Sequence, residues 1–110
     1  MVRTASADHI FAFPFELERY VSDFEISYKQ KDVVILRKSK ADIANGSVEI
    51  AGNDIRVFLN PSETKMFKKG YAYAQVVVKT QNGKIVPSEE VTFDVEDALD
   101  EEGGFDGDEI

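Results

Sequence analysis

Tyr71-Ala72-Tyr73-Ala74-Gln75-Val76-Val77-Val78-Lys79-Thr80, followed by Gln81-Asn82-Gly83 and the return Lys84-Ile85-Val86, is the stretch that decides the fold. Successive side chains of a strand point to opposite faces. Ala72, Ala74, Val76 and Val78 therefore make one apolar face, and Tyr73, Val77 and Lys79 lie on the other. Asn82 and Gly83 both tolerate positive φ, so the junction reads as a two-residue type I′ hairpin turn. The return strand runs on through Val91, Phe93 and Val95. Pro87 removes a ladder donor, which predicts that this strand is broken there or lies at a sheet edge.

The same period of two recurs upstream. Phe24, Ile26 and Tyr28 alternate with Glu25, Ser27 and Lys29, the mark of a half-buried strand. Val33-Val34-Ile35-Leu36 is a continuous apolar run, compatible with a strand buried on both faces and joined to its predecessor across Gln30-Lys31-Asp32. Val48 and Ile50 precede a turn signal at Gly52-Asn53, and Ile55, Val57 and Leu59 alternate beyond it. His9-Ile10-Phe11-Ala12-Phe13, stopped by Pro14, supplies a first strand; residues 15–21 fit a helical turn or an irregular link, and 37–45 a polar loop. Asn60-Pro61-Ser62-Glu63 is a capping box with proline at the first helical position, so a short helix is predicted over 61–69, ended by Gly70, with Met66 and Phe67 inward. Short strands at spacings of about 8–12 residues point to an all-β, immunoglobulin-like β-sandwich of six to eight short strands with one short helical turn.

Charge divides the chain. Of 21 acids, nine lie between Asp94 and Ile110, and none of the 13 bases does. Residues 1–93 therefore hold 12 acids against 13 bases, a net charge of +1, although the whole chain stands at −8. The expected organisation is a loose arm over 1–7, a sandwich domain over 8–97 and a disordered acidic tail over 98–110, whose like charges and glycines bury too little surface to order.

Composition argues against catalysis. The single histidine, His9, excludes a multi-histidine metal site, and the absence of cysteine removes thiolate ligands and nucleophiles. Glu89, Glu90, Asp94, Glu96 and Asp97 sit as acids along a strand, which reads as a solvated face before it reads as a glycosidase pair. The tail glycines fail EF-hand spacing, since position one would fall on Ala98, Leu99 or Glu102. A nearly neutral body with an acidic tail is repelled by phosphate, so no nucleic-acid partner is expected. The longest apolar run is four residues, far below the roughly 20 that cross a bilayer, so no membrane partner is expected either. No cofactor and no small-molecule ligand are expected, and the default location is cytoplasmic.

Several phrases resemble small proteins encoded in tail modules of phages and prophages of Gram-positive bacteria. They are Ile26-Ser27-Tyr28-Lys29-Gln30, Val34-Ile35-Leu36-Arg37-Lys38, and Val57-Phe58-Leu59-Asn60-Pro61-Ser62-Glu63-Thr64. Phe67, Ala74-Gln75-Val76-Val77-Val78, Asn82-Gly83 and Phe93-Asp94-Val95-Glu96-Asp97-Ala98-Leu99 continue the likeness. The chain is also similar, more distantly, to the N-terminal domain of phage baseplate upper proteins. The resemblance implies a virion structural or assembly protein of the tail or baseplate, found in the virion and the bacterial host cytoplasm. Its implied partners are other virion proteins or itself as a homo-oligomer, and it carries over no catalytic residue.

Edge strands are where such a sandwich meets neighbours. The Pro87 strand, flanked by Lys84, is the candidate edge, and Asp100, Glu101 and Glu102 are the part of the tail placed to meet a basic partner. The alternative is a free-standing immunoglobulin-like binding module for carbohydrate, with Tyr20, Tyr71 and Tyr73 as its platform.

Overall fold

The computed structural model describes residues 1–88 and 90–98; the acidic tail beyond Ala98, with Asp100, Glu101 and Glu102, lies outside the described residues. The expected class holds. Eight strands form two antiparallel sheets packed face to face, an all-β sandwich of immunoglobulin-like layering. The strands are β1 (Ala7–Ala12), β2 (Val21–Gln30), β3 (Val33–Ser39), β4 (Val48–Ala51), β5 (Asp54–Leu59), β6 (Gly70–Thr80), β7 (Ile85–Pro87) and β8 (Val91–Val95). One sheet has the order β1-β5-β4; the other has the order β3-β2-β6, with β7 and β8 paired one after the other along the far side of β6.

The alternation read from sequence fills the core. Phe24, Ile26 and Tyr28 from β2, and Ala72, Ala74, Val76 and Val78 from β6, meet Phe11 of β1, Val48 of β4 and Ile55, Val57 and Leu59 of β5. The four small residues on β6 let the facing sheet approach, and the aromatic side chains fill what remains. Two strands are not short: β2 has 10 residues and β6 has 11, and together they form the spine of the larger sheet.

The chain changes sheet three times, between β1 and β2, β3 and β4, and β5 and β6, and each crossing contains a helical turn. One helical turn was expected, and the described residues hold three. Helix α1 (Leu17–Tyr20) buries Leu17; a 3-10 turn (Lys40–Ile43) is capped by Ser39 and Asp42, inside the segment expected to be loop. Helix α2 (Pro61–Thr64) has the predicted capping box, with Asn60 Oδ1 accepting from Glu63 N at 2.9 Å and Glu63 Oε1 accepting from Asn60 N at 2.9 Å. It stops after one turn instead of reaching residue 69. Phe67 is fully buried as expected, but Met66 is exposed, and Gly70, with φ of 130°, already opens β6.

Two hairpins differ from expectation in an instructive way. At Gln81-Asn82-Gly83 only Gly83 has positive φ, with Gly83 N donating to Thr80 O and Thr80 N to Lys84 O. That is a three-residue loop with glycine at the left-handed position, not a type I′ turn. The two-residue loop with both φ positive lies instead at Lys31-Asp32, 48° and 66°, between paired Gln30 and Val33.

The residues expected to form a loose arm make hydrogen bonds to the chain after β8. Arg3 N donates to Glu96 O at 2.8 Å, Glu96 N to Met1 O at 2.9 Å, and the terminal amine to Asp94 O at 2.8 Å. The first residues thus lengthen the ladder beyond β8, and β1 itself begins at Ala7. Among the described residues no helix is long and apolar enough to cross a membrane.

Candidate interaction surface

The longest apolar run of the sequence does not lie inside. β3 pairs only with β2, so it is the outer strand of the larger sheet. Val33 is 59% exposed and Val34 36%, while Ile35 and Leu36 are half-buried. The expectation of a strand buried on both faces is therefore corrected: no layer covers β3 from outside, and among the described residues no strand pairs with its free edge. A register shift between Tyr28 and Lys29 re-aims the start of β3. Farther along, opposite Ile26, Lys38 points inward and is only 6% exposed, an inversion of the usual apolar-in, charged-out pattern.

Lys38 is satisfied there by Glu63. Its Nζ donates to Glu63 Oε2, while Oε1 of the same carboxylate closes the α2 capping box. A single side chain thus ties the end of β3 to the crossing between sheets.

The opposite edge is built differently. β7 and β8 pair with successive parts of β6, and the strand pairing of β7 ends at Pro87. Ser88 Oγ accepts from Val76 N at 2.9 Å, Ser88 N donates to Val76 O at 2.7 Å, and the Gln75 side chain donates to Ser88 O at 2.9 Å. Pro87 is therefore at an edge and at a break, which leaves pieces of three and five residues. Lys84 and Ile85 are exposed beside it. Short, interrupted and lysine-flanked edges resist pairing.

Tyr71 is 61% exposed and Tyr73 half-buried, both on the outer face of β6, opposite Asp94 and Thr92 of β8. Tyr73 OH lies 3.3 Å from Asp32 Oδ1, linking the face to the β2–β3 turn. Pro87 pairs with Val77, four residues along β6 from Tyr73, and Lys84 follows the turn after Thr80 at the far end of β6. Tyr20 sits with Lys84 instead, in a cleft of about 500 Å³ with Phe15, Thr80 and Val86. The structure thus splits the three tyrosines between two ends of the molecule and does not assemble them into one platform.

His9 lies on β1 and faces inward. Its Nδ1 is 2.9 Å from Tyr28 OH, and its ring stacks on Phe93 with centroids 4.7 Å apart. Burial holds the imidazole below its ordinary pKa, reinforced by the charge of the N-terminal amine and opposed by Asp8. Burial also raises the Tyr28 phenol, with Glu63 adding to the effect. Burial thus favours the neutral form of both groups, which share one hydrogen bond. Phe67 and Phe93 complete an aromatic cluster around Tyr28. Of the strand acids, Asp94 faces solvent and Asp97 pairs with Arg3 at 3.0 Å; Glu89 is outside the described residues. No group of three or more histidine, cysteine or acidic side chains is arranged to hold a metal among the described residues.

Sequence reasoning missed the β3 edge, the Lys38–Glu63 pair and the His9–Tyr28 bond. A signal for the first was present. Lys31 and Arg37-Lys38 bracket the apolar run, as bases often bracket an exposed strand.

No protein-family model matches the chain, and no curated protein matches it. Among solved structures the chain is similar to murine CRIg, at 10% identity over 89% of each chain with a TM-score of 0.46. It is also similar to the V domain of amphioxus IgVJ-C2, at 13% identity over 86% of this chain and 96% of that one, with a TM-score of 0.36. At that distance neither likeness carries a partner or a function across.

Proposed function

We propose that this chain is a non-catalytic assembly module, a structural protein of a phage tail or baseplate, which joins its neighbours through the free edge of β3. The observation that carries the reading is the exposure of Val33-Val34-Ile35-Leu36 along an edge strand of seven residues. An exposed, apolar edge of that length is a template for another strand, whereas the opposite edge is broken into pieces of three and five residues. Residues 1–93 carry a net charge of only +1, and pairing identical edges across a two-fold axis gives a closed, symmetric oligomer. The tail and baseplate assignment is supported by the sequence resemblance, and its partners are then copies of itself and other virion proteins.

Two experiments test the two levels of this reading. Replacing Val33 and Val34 together by Lys changes exposed side chains only, so the fold should survive while self-association weakens at least tenfold in light scattering. Unaltered association would remove β3 from the interface. For the virion role, mass spectrometry of particles purified after prophage induction in the host should find the chain in stoichiometric amounts. Its absence from such particles would contradict that role and leave the edge-pairing result standing.

A further inference from the structure

Helix α1 and the β6–β7 hairpin meet at one end of the larger sheet. Gln81 N donates to Tyr20 O at 2.8 Å, and Val21 pairs with Thr80. Thr80 shapes the hairpin loop: its hydroxyl donates to Asn82 Oδ1 and accepts from Lys84 N at 2.9 Å. Between α1 and this loop lies the cleft of about 500 Å³ that holds Tyr20 and Lys84. Its volume falls in the range of small-ligand sites.

The lining is of two kinds. Phe15, Tyr20 and Val86 are apolar, and Phe15 meets Tyr20 edge to face with centroids 6.3 Å apart. The Arg19 guanidinium lies over the Tyr20 ring at 5.6 Å, yet Tyr20 remains 47% exposed. Gln81, Asn82 and Lys84 are polar and exposed. Among the described residues the Gln81 side-chain amide and the Lys84 ammonium have no hydrogen-bond or ion-pair partner, and the Asn82 side chain bonds only through its oxygen. The cleft thus offers aromatic surface, amide donors and an unpaired cation. A hydrocarbon ligand would leave the donors without acceptors. An acidic peptide side chain would satisfy Lys84 but has no flat C–H face for the aromatic lining. A sugar ring bearing a carboxylate answers all three features, because its C–H face packs on aromatic rings while its oxygens accept from amides and ammonium.

We propose that this cleft binds a hexuronic acid residue of an acidic polysaccharide, its ring against Tyr20, its hydroxyls on Gln81 and Asn82, and its carboxylate on Lys84. Charge complementarity with Lys84 and the aromatic lining together favour this occupant. The hairpin fixes the three polar residues relative to Tyr20 through Thr80 and the Gln81 backbone, so the site needs no rearrangement to form. It lies at the start of β2, whereas the β2–β3 turn and the first residues of β3 lie at the other end of that strand. The binding therefore goes beyond the edge-pairing reading and does not depend on it.

The test titrates trigalacturonate into the isotope-labelled full chain and follows its amide signals. Shifts should be confined to Tyr20, Val86 and the loop from Thr80 to Lys84, and should saturate below about 10 mM ligand. Galactotriose, the neutral counterpart, should bind about tenfold more weakly, and Lys84→Ala should remove that difference. Tyr20→Ala, at an exposed side chain whose backbone bond to Gln81 is kept, should weaken binding about tenfold, with the unshifted remainder of the spectrum reporting an intact fold. The proposal is overturned if trigalacturonate moves none of these signals, or if Tyr20→Ala binds it as well as the natural chain does. It is equally overturned if galactotriose binds as tightly, since the carboxylate would then not be read, or if triglutamate of the same charge does, since charge alone would then suffice.

Discussion

Lys38 and Glu63 show how a buried charge can serve connection more than stability. Lys38 is 6% exposed, and the carboxylate it meets also caps α2, so the pair joins the β3 edge to a sheet crossing. Removing one partner strands the other, and Lys38→Ala should cost about 3 kcal/mol in denaturant unfolding. Replacing both with neutral groups of similar shape, Lys38→Met with Glu63→Gln, should recover most of that loss. A single substitution no worse than the double one would mean the pair is not buried in solution. His9 behaves as a pH-sensitive strut. Its folded pKa lies below the ordinary 6.5, so below that pH the unfolded chain takes a proton that the folded imidazole refuses. Stability present above pH 6.5 should therefore decline as the pH falls through the folded pKa. His9→Gln should flatten that slope. Tyr28→Phe, which removes the bond to His9 Nδ1, should cost about 1 kcal/mol near neutral pH.

At the scale of elements, what was legible in the sequence depended on how local the physics was. The alternation of β2, β5 and β6 and the Asn60 capping box are set by neighbours within a few residues, and each was read correctly. The length of α2 was not, because Phe67 is pulled into the core at the crossing and the backbone unwinds to place it. β3 was misread for a related reason. A continuous apolar run specifies low solvent affinity, while its place at an edge depends on which strands pair. Turn chemistry failed in the same direction: Asn82-Gly83 suits a type I′ turn but takes a bulged three-residue loop, while Lys31-Asp32 takes the strained conformation without favourable residues. Lys31→Asn with Asp32→Gly should relieve that strain and raise stability by about 1 kcal/mol. An unchanged or lower midpoint would show that the Asp32 contact to Tyr73 outweighs the backbone cost.

For the whole molecule, the two edges of the larger sheet differ in kind. One is cut short by Pro87 and Ser88 and flanked by lysine; the other exposes valines along an uninterrupted strand. Residues 1–93 carry a net charge of +1, and the acids gather after Asp94, on the side of the sheet away from that open edge. The proline edge was legible in the sequence; the open edge became visible only with the topology. Light scattering across about 1–200 μM protein tests the central claim most directly. The account predicts a discrete oligomer for the natural chain and a monomer for Val33→Lys/Val34→Lys at the same concentrations. A natural chain that stays monomeric throughout, or an oligomer indifferent to those two substitutions, would contradict it.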